Sequence, residues 1–400
     1  MKRIAIFPIL LVLTHYVKAQ TDTVNLDPVE VRATRASKTA PFAKTNLSKS
    51  TIEKQNLGQD LPFMLNQTPS VIVNSDAGNG VGYTGIRIRG TDATRINVTL
   101  NGIPFNDAES NGTFFVNLPD FLSSVSSIQV QRGVGTSSNG PGAFGATINL
   151  STHELNKNAY AEFNNAYGSF NTLKNTVKVG TGLLGDHFTL DARASRISSD
   201  GYIDRATSDL KSLYLSTAYL SDKTNLRFTA FSGKEKTYQA WYGISESDLQ
   251  ENRTINYAGM EKPGEPYDNE TDNYQQDHYQ FFFDRKLSDR LVFNTGFFYV
   301  KGKGYYEQYK AGEEYTDYGI IPPDPNHTQT DLVRRLWLDN DYYGNVFSLL
   351  YKQKGTDFTI GGAISNYTGD HVGEIVWAEQ GLNKDYNWYD VPAEKRDFNV

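Results

Sequence analysis

The chain contains no cysteine among its 400 residues, which excludes disulfide frameworks, thiol catalysis and thiolate metal sites together. Beyond the first twenty residues it lacks any run near the roughly 20 apolar residues of a spanning helix, so a helical membrane protein is excluded. Excess positive charge is missing too: 39 Lys and Arg against 46 Asp and Glu leave a formal charge of −7. A general nucleic-acid binder needs clustered cations to displace counterions, so no nucleic-acid partner is expected. The six histidines (His15, His153, His187, His278, His327 and His371) never fall in HxxxH or HExxH spacing. What is abundant is aromatic: 25 Tyr and 22 Phe in a chain only 38% hydrophobic. That balance suits a membrane β-barrel, whose strands show lipid at every second residue and collect aromatics at the rims.

Enzyme motifs fail on context. Gly80-Val81-Gly82-Tyr83-Thr84-Gly85 is a literal GxGxxG, but the alternating strand that follows offers no helix N-terminus to a pyrophosphate. Ser137 and Ser138 sit near glycines without a GxSxG elbow. Asp268, Glu270 and Asp272 lack the Gly and bidentate Glu of a calcium loop. No catalytic residue, metal or cofactor is expected.

The amino terminus has the form of an export signal over residues 1–19. Met1, Lys2 and Arg3 are its positive start, residues 4–13 its apolar core, and Val17-Lys18-Ala19 a small-residue pattern cut before Gln20. Residues 20–49 are too polar to bury a face and read as a periplasmic tether. Within them Leu26, Asp27, Pro28, Val29, Glu30, Val31, Arg32 and Ala33 form an extended, alternating piece able to add a strand to a partner's sheet edge.

Residues 50–152 have the pattern of a compact α/β domain. Helical spacing over 52–66 precedes the short β-rich run at 71–73, then the alternating strands 86–89 and 96–100, with Asn101-Gly102 as a strong hairpin turn. A short helix start is expected at Leu118-Pro119-Asp120, and further strands at 128–132 and 147–150. From residue 153 onward nine segments alternate at period two: 160–167, 172–182, 187–197, 211–220, 225–231, 279–283, 291–300, 343–351 and 358–364. In the third, Phe188, Leu190, Ala192 and Ala194 make one face and Thr189, Asp191, Arg193 and Ser195 the other, as lipid and lumen require. Short connections (183–186, 221–224, 284–290, 352–357) alternate with long ones (198–210, 232–278, 301–342), the asymmetry of barrels with tight inner turns and long outer loops. A soluble β-sandwich is the rival architecture.

The order Ile86-Arg87-Ile88-Arg89-Gly90, Leu100-Asn101-Gly102-Ile103-Pro104, residues 128–133 (IQVQRG) and residues 142–152 (GAFGATINLST) closely resembles the plug domain of TonB-dependent outer-membrane receptors. The resemblance implies an antiparallel membrane β-barrel of about 22 strands with an α/β plug in its lumen. About nine strands fall in residues 153–400, so the barrel is expected to continue beyond them. Residues 26–33 then look like the TonB box, departing from the commoner core at Pro28 and Glu30. Arg89 and Arg132 match plug arginines that pair with barrel glutamates in relatives. The function implied is active uptake across the bacterial outer membrane of a scarce ligand, ferric chelates being the commonest cargo, with cobalamin, haem and oligosaccharides as alternatives. A passive porin and an outer-membrane hydrolase are the readings from other classes. The partners implied are TonB with its inner-membrane energising complex, the ligand, outer-membrane lipid and a surface lipoprotein at the mouth. Candidate ligand contacts are Tyr83, Asp92, Arg95, Asn106, Asp107 and Glu109 on the plug, and Trp241, Tyr242, Tyr305, Tyr306 and Tyr309 on outer loops.

Overall fold

The structure, a computed structural model, describes residues 35–36, 40–135, 143–382 and 386–399. The expected signal at 1–19 and the segment at 26–33 lie outside the described residues.

The inner domain is built on a five-stranded sheet. Its strands are β1 (Lys44–Ser48), β4 (Ile96–Leu100), β5 (Ile103–Pro104), β6 (Ser127–Arg132) and β7 (Ala146–Ser151), in the order β1-β6-β7-β4-β5. A separate hairpin pairs β2 (Val71–Ser75) with β3 (Thr84–Ile88). The turn joining β4 to β5 has φ of 56° at Asn101 and 83° at Gly102, the two positive angles that an Asn-Gly hairpin turn supplies. Val98, Leu100, Ile128, Val130, Ile148 and Leu150 fill one core with Ile52, Leu65 and Phe115. The helical stretch expected over 52–66 is two short helices, α1 (Lys49–Gln55) and α2 (Leu61–Met64). Gly58, at φ +114°, breaks the helix between them. The expected helix start near Asp120 is a 3-10 turn over Phe121–Ser124.

The opposite face of this sheet is polar and equally buried, through Gln129, Gln131, Thr147 and Asn149. Residues 35–36 cross it. Ala36 N donates to Gln129 Oε1 at 2.7 Å, Gln129 Nε2 donates to Ala36 O at 3.2 Å, and Arg35 Nη1 donates to Ser127 Oγ at 2.9 Å. One side-chain amide thus holds a backbone as a neighbouring strand would. The tether expected over 20–49 is therefore structured at its end: β1 is the sheet's edge strand, paired antiparallel to β6, because Leu47 reaches the core and Asn46 Oδ1 accepts from Gln129 Nε2 at 2.9 Å.

Ten antiparallel strands follow in strictly sequential order: β8 (Tyr160–Gly168), β9 (Thr172–Gly180), β10 (Phe188–Ser199), β11 (Ser208–Leu220), β12 (Thr224–Tyr238), β13 (Thr271–Lys286), β14 (Leu291–Glu314), β15 (Gln329–Gln353), β16 (Thr356–Ala378) and β17 (Tyr386–Asn399). All nine expected segments are strands; β17 is the tenth. From β10 onward the longer connections (200–207, 239–270 and 315–328) alternate with short ones (221–223, 287–290 and 354–355), whereas 169–171 and 181–187 break that order. The long connections shrink because the strands continue into them, β14, β15 and β16 running for 24, 25 and 23 residues. About 9–11 residues cross a bilayer, so these strands rise well past it.

Alternation in the wall is clean. On β10 the residues Phe188 and Leu190 are 54% and 43% exposed, while Thr189 and Arg193 between and beyond them are buried. The wall's outward face carries Phe228, Phe281 and Phe297, with Tyr279 pairing Tyr299 and Tyr299 pairing Tyr343 along the loop-side rim. From Leu291 to Tyr299 the outward run is about 27 Å of strand, or about 20 Å along the normal at a tilt near 40°, close to the apolar band of a barrel. A water-soluble sandwich would not leave this face bare.

Candidate functional site

The inner domain sits against the inward face of the wall, and one carboxylate dominates the contact. Asp120, in left-handed backbone at φ 50°, is fully buried between the 3-10 turn and strands β9 and β10. Lys174 Nζ lies 2.8 Å from its Oδ1, and Arg193 Nη1 lies 3.5 Å from Oδ2. Thr176 Oγ1 and Ser195 Oγ donate to Oδ2 at 2.6 and 2.7 Å, and Ser123 Oγ donates to Oδ1 at 2.7 Å. The Arg193 guanidinium also donates to the Asp120 carbonyl. Burial alone would push this carboxyl up; the Arg193 and Lys174 charges and their hydrogen bonds overcome it and hold the group at about 2. Asp120 is therefore ionised and clamped to the wall.

Close approach supports the same contact. Gly233 on β12 faces inward, and a Cβ there would come 2.0 Å from the Asn117 carbonyl oxygen and 2.8 Å from Pro119 Cδ. Gly233→Ala should push the inner domain off β12, lowering thermal stability by about 1–3 kcal/mol as an overpacked site does, which unfolding of the purified variant would measure.

Toward the loop end, the apex of the β2–β3 hairpin meets the upper wall. Tyr83 OH donates to Asp272 Oδ2 at 2.5 Å and reaches Glu235 Oε1 at 3.5 Å. Burial, then the Glu235 and Asp272 charges, push the phenol well above its ordinary range, so it remains a donor. Its ring meets Trp241 edge-on at 5.6 Å, and Trp241 meets Tyr306 at 5.9 Å. Asp60, which accepts from Thr84 Oγ1 at 3.1 Å, is buried and pushed up to about 8.

Three of the candidate contacts, Tyr83, Trp241 and Tyr306, are thus brought together. Tyr242 stands close by, its hydroxyl accepting from Gln308 Nε2 at 3.0 Å. Tyr305, Tyr306 and Tyr309 lie within β14 rather than on a loop, because the strand continues past the rim. Alternation turns Tyr305 to the face opposite Tyr306, where it packs on Trp337 at 4.4 Å beneath the Arg335 guanidinium at 4.5 Å. Tyr309 belongs to another group, its ring 5.7 Å from Tyr267 and its hydroxyl bonded to Asp331.

Glu109 reaches the wall separately, 2.9 Å from His371 Nε2 and accepting from Tyr367 OH at 3.1 Å. Asn106 and Asp107 shape their own loop: Asn106 Oδ1 accepts from Val98 N at 2.7 Å, and Asp107 Oδ1 accepts from Ser110 N at 2.7 Å. Asp92 caps Thr94 N at 3.0 Å, and both it and Arg95 are exposed. Arg132 Nη1 donates to Pro69 O at 3.1 Å; neither it nor Arg89 has an acidic partner among the described residues. Asp120, Lys174 and Gly233 were not anticipated as contacts. For Asp120 and Lys174 the signals were an acid after Leu118-Pro119 and lysines on the inward face of β9.

Residues 36–147 match the family model described as the TonB-dependent Receptor Plug Domain. No curated protein matches the chain in sequence. Among solved structures, the ferric citrate transporter FecA in its unliganded form aligns with a TM-score of 0.64 at 15% identity, covering 90% of this chain and 53% of that one. BauA, the ferric preacinetobactin receptor from Acinetobacter baumannii, gives 0.63 at 14% identity, covering 90% and 54%. The ferripyoverdine receptor of the Pseudomonas aeruginosa outer membrane gives 0.60 at 12%, covering 90% and 48%. The chain spans about half the length of these structures. With a plug domain of this family seated against a sequential antiparallel wall, the chain has the plug-in-barrel fold of the TonB-dependent receptors of the bacterial outer membrane.

Proposed function

We propose that the protein takes part in TonB-dependent active uptake of a scarce ligand, a ferric siderophore or another iron chelate, across the outer membrane. The observation that carries this reading is the folded plug clamped to the inner wall through Asp120, which leaves no use for the lumen as a passive pore. Residues 26–33 are the TonB box in this reading, a handle for TonB and its inner-membrane complex. Arg89 and Arg132 hold further plug contacts. The ligand rests on the apex, where Tyr83, Trp241 and Tyr306 offer rigid aromatic area beside Asp272 and Glu235, with Tyr242 next to Trp241. Iron chelates are the favoured class because the ferric citrate, ferric preacinetobactin and ferripyoverdine receptors share this fold.

Deleting residues 26–33 tests it. Uptake of a radiolabelled ferric chelate by cells should fall to the level of cells lacking the receptor, while binding of the same chelate at the surface persists. Uptake that survives the deletion would overturn the reading.

A further inference from the structure

Where the apex of the β2–β3 hairpin meets the wall, negative charge is buried without a counter-charge. Glu235 on β12 and Asp272 on β13 share the inward face: Thr237 stands directly opposite Asp272, and Glu235 lies two residues along from Thr237. Both acids lie past Tyr279 on the loop side, beyond the aromatic rim and outside the bilayer. Asp60 brings a third carboxylate from the plug, acting on Glu235 across the contact. Asp60 and Glu235 are 5% and 1% exposed, and Asp272 is half-buried.

Hydroxyls, not cations, answer these three groups. Tyr83 OH serves Asp272 and Glu235 together, Thr237 Oγ1 donates to Glu235 Oε2 at 3.4 Å, and Thr84 Oγ1 donates to Asp60. None of the three acids has an ion pair among the described residues. Cations on the adjoining elements are spent elsewhere. Arg334 donates to Gln308 Oε1 at 2.9 Å, Arg205 to the Ala258 carbonyl at 3.0 Å, Lys236 to Asn269 Oδ1 at 3.0 Å, and Lys310 pairs with Glu261. The phenols of Tyr274 and Tyr306 also face the acids, and half-buried Asp76 borders them on the hairpin. A carboxylate buried without counter-charge is kept neutral by a proton. Burial, then the charges of Asp272 and Asp60, push Glu235 well above its ordinary range, and burial pushes Asp272 up as well.

We infer that Asp60, Glu235 and Asp272 form a proton-dependent latch: protonated, they hold the hairpin apex against the upper wall; ionised, they repel one another and release it. The apex's other contacts carry no charge. Val81 packs with Ile197 and Leu210, Ala77 O accepts from Tyr202 N at 2.7 Å, and Asn79 Nδ2 donates to Ser199 Oγ at 2.7 Å. The seated acids titrate higher than they would in water, so the seat is at full strength in acid and weakens as pH climbs toward about 8, where Asp60 titrates. Asp120, held at about 2, stays ionised throughout, so a rise in pH loosens the outer end of the plug and not its clamp. The latch needs no ligand and stands apart from the choice of cargo.

Hydrogen exchange of the full chain in neutral detergent, read by mass spectrometry, tests it. After correction for the intrinsic pH dependence of exchange, protection of the amides over residues 76–84 should fall at least about tenfold per pH unit between about pH 6 and about pH 8, the slope of one proton released on opening. Amides of β6 and β7 should keep their protection over the same range, which marks the opening as local. E235Q/D60N preserves side-chain size and removes the titration; it should be flat, and as protected at the upper pH as wild type is at the lower. E235Q alone should lower the slope. D76N removes the bordering acid, which burial raises to about 6, and should keep the slope above about pH 7. A wild-type profile without slope, a slope unchanged in E235Q and in E235Q/D60N, or one abolished by D76N alone overturns the inference. A heat-sensitive gel mobility that matches wild type confirms that each variant is folded.

Discussion

Replacing Asp120 with alanine should destabilise the seated plug by about 3–5 kcal/mol, because Lys174 and Arg193 would be left buried without their counter-charge. Chemical unfolding of the variant beside wild type measures this, and a loss under about 1 kcal/mol would show that water reaches the contact. The asymmetry of buried ion pairs adds a second arm. Removing the cations as well, in Asp120→Ala combined with Lys174→Met and Arg193→Met, should recover much of the loss, since the cost lies in the unpaired charge rather than in the pair's net worth. The pH dependence has a definite sign. The carboxyl is held at about 2 in the fold against about 3.9 unfolded, so its contribution is present above about pH 4 and disappears as pH falls toward 2. Asp120→Asn should flatten that acid limb of the stability profile.

Phe281→Arg should cost about 2–4 kcal/mol and impair insertion into lipid vesicles, because Phe281 faces out, 41% exposed, in the middle of the apolar band. Its neighbour Gln280 faces inward and donates nothing to lipid contact. Folding into vesicles, followed by the shift in gel mobility with and without heating, reads the effect. Exposed phenylalanine on a water-soluble sheet would respond in the opposite way, since an arginine there improves solubility at little cost. A neutral or stabilising outcome would therefore remove the bilayer from the account of this face.

Much of the wall was legible because period-two alternation is a strong local signal. It placed Phe188 and Leu190 outside and Thr189 and Arg193 inside correctly, and Asn101-Gly102 announced its turn without any tertiary information. Strand ends were not legible. β14 and β15 continue beyond the bilayer, where both faces become polar or aromatic and the alternation that marked their lower halves fades. That is why Tyr306 and Tyr309 were expected on loops. β1 was hidden for a different reason: its pairing is set by Gln129 and Asn46 meeting across 83 residues, which no local window contains. The same holds for Asp120, whose partners arrive from β9 and β10. Of the candidate ligand contacts, the aromatic ones at the apex converge, whereas Asn106 and Asp107 spend their polar atoms shaping a loop.

The Gln129 amide that grips the backbone at Ala36 makes the inner sheet, rather than the barrel staves, the first structure to feel any tension arriving from upstream. That grip is on β6, already an inner strand of the sheet, with β1 flanking it as the edge strand of a single neighbour. Traction along the leading segment would accordingly unravel the stopper from within its own margin while the carboxylate rivet on the far side stays fastened, so that a passage could open beside a body still partly in place.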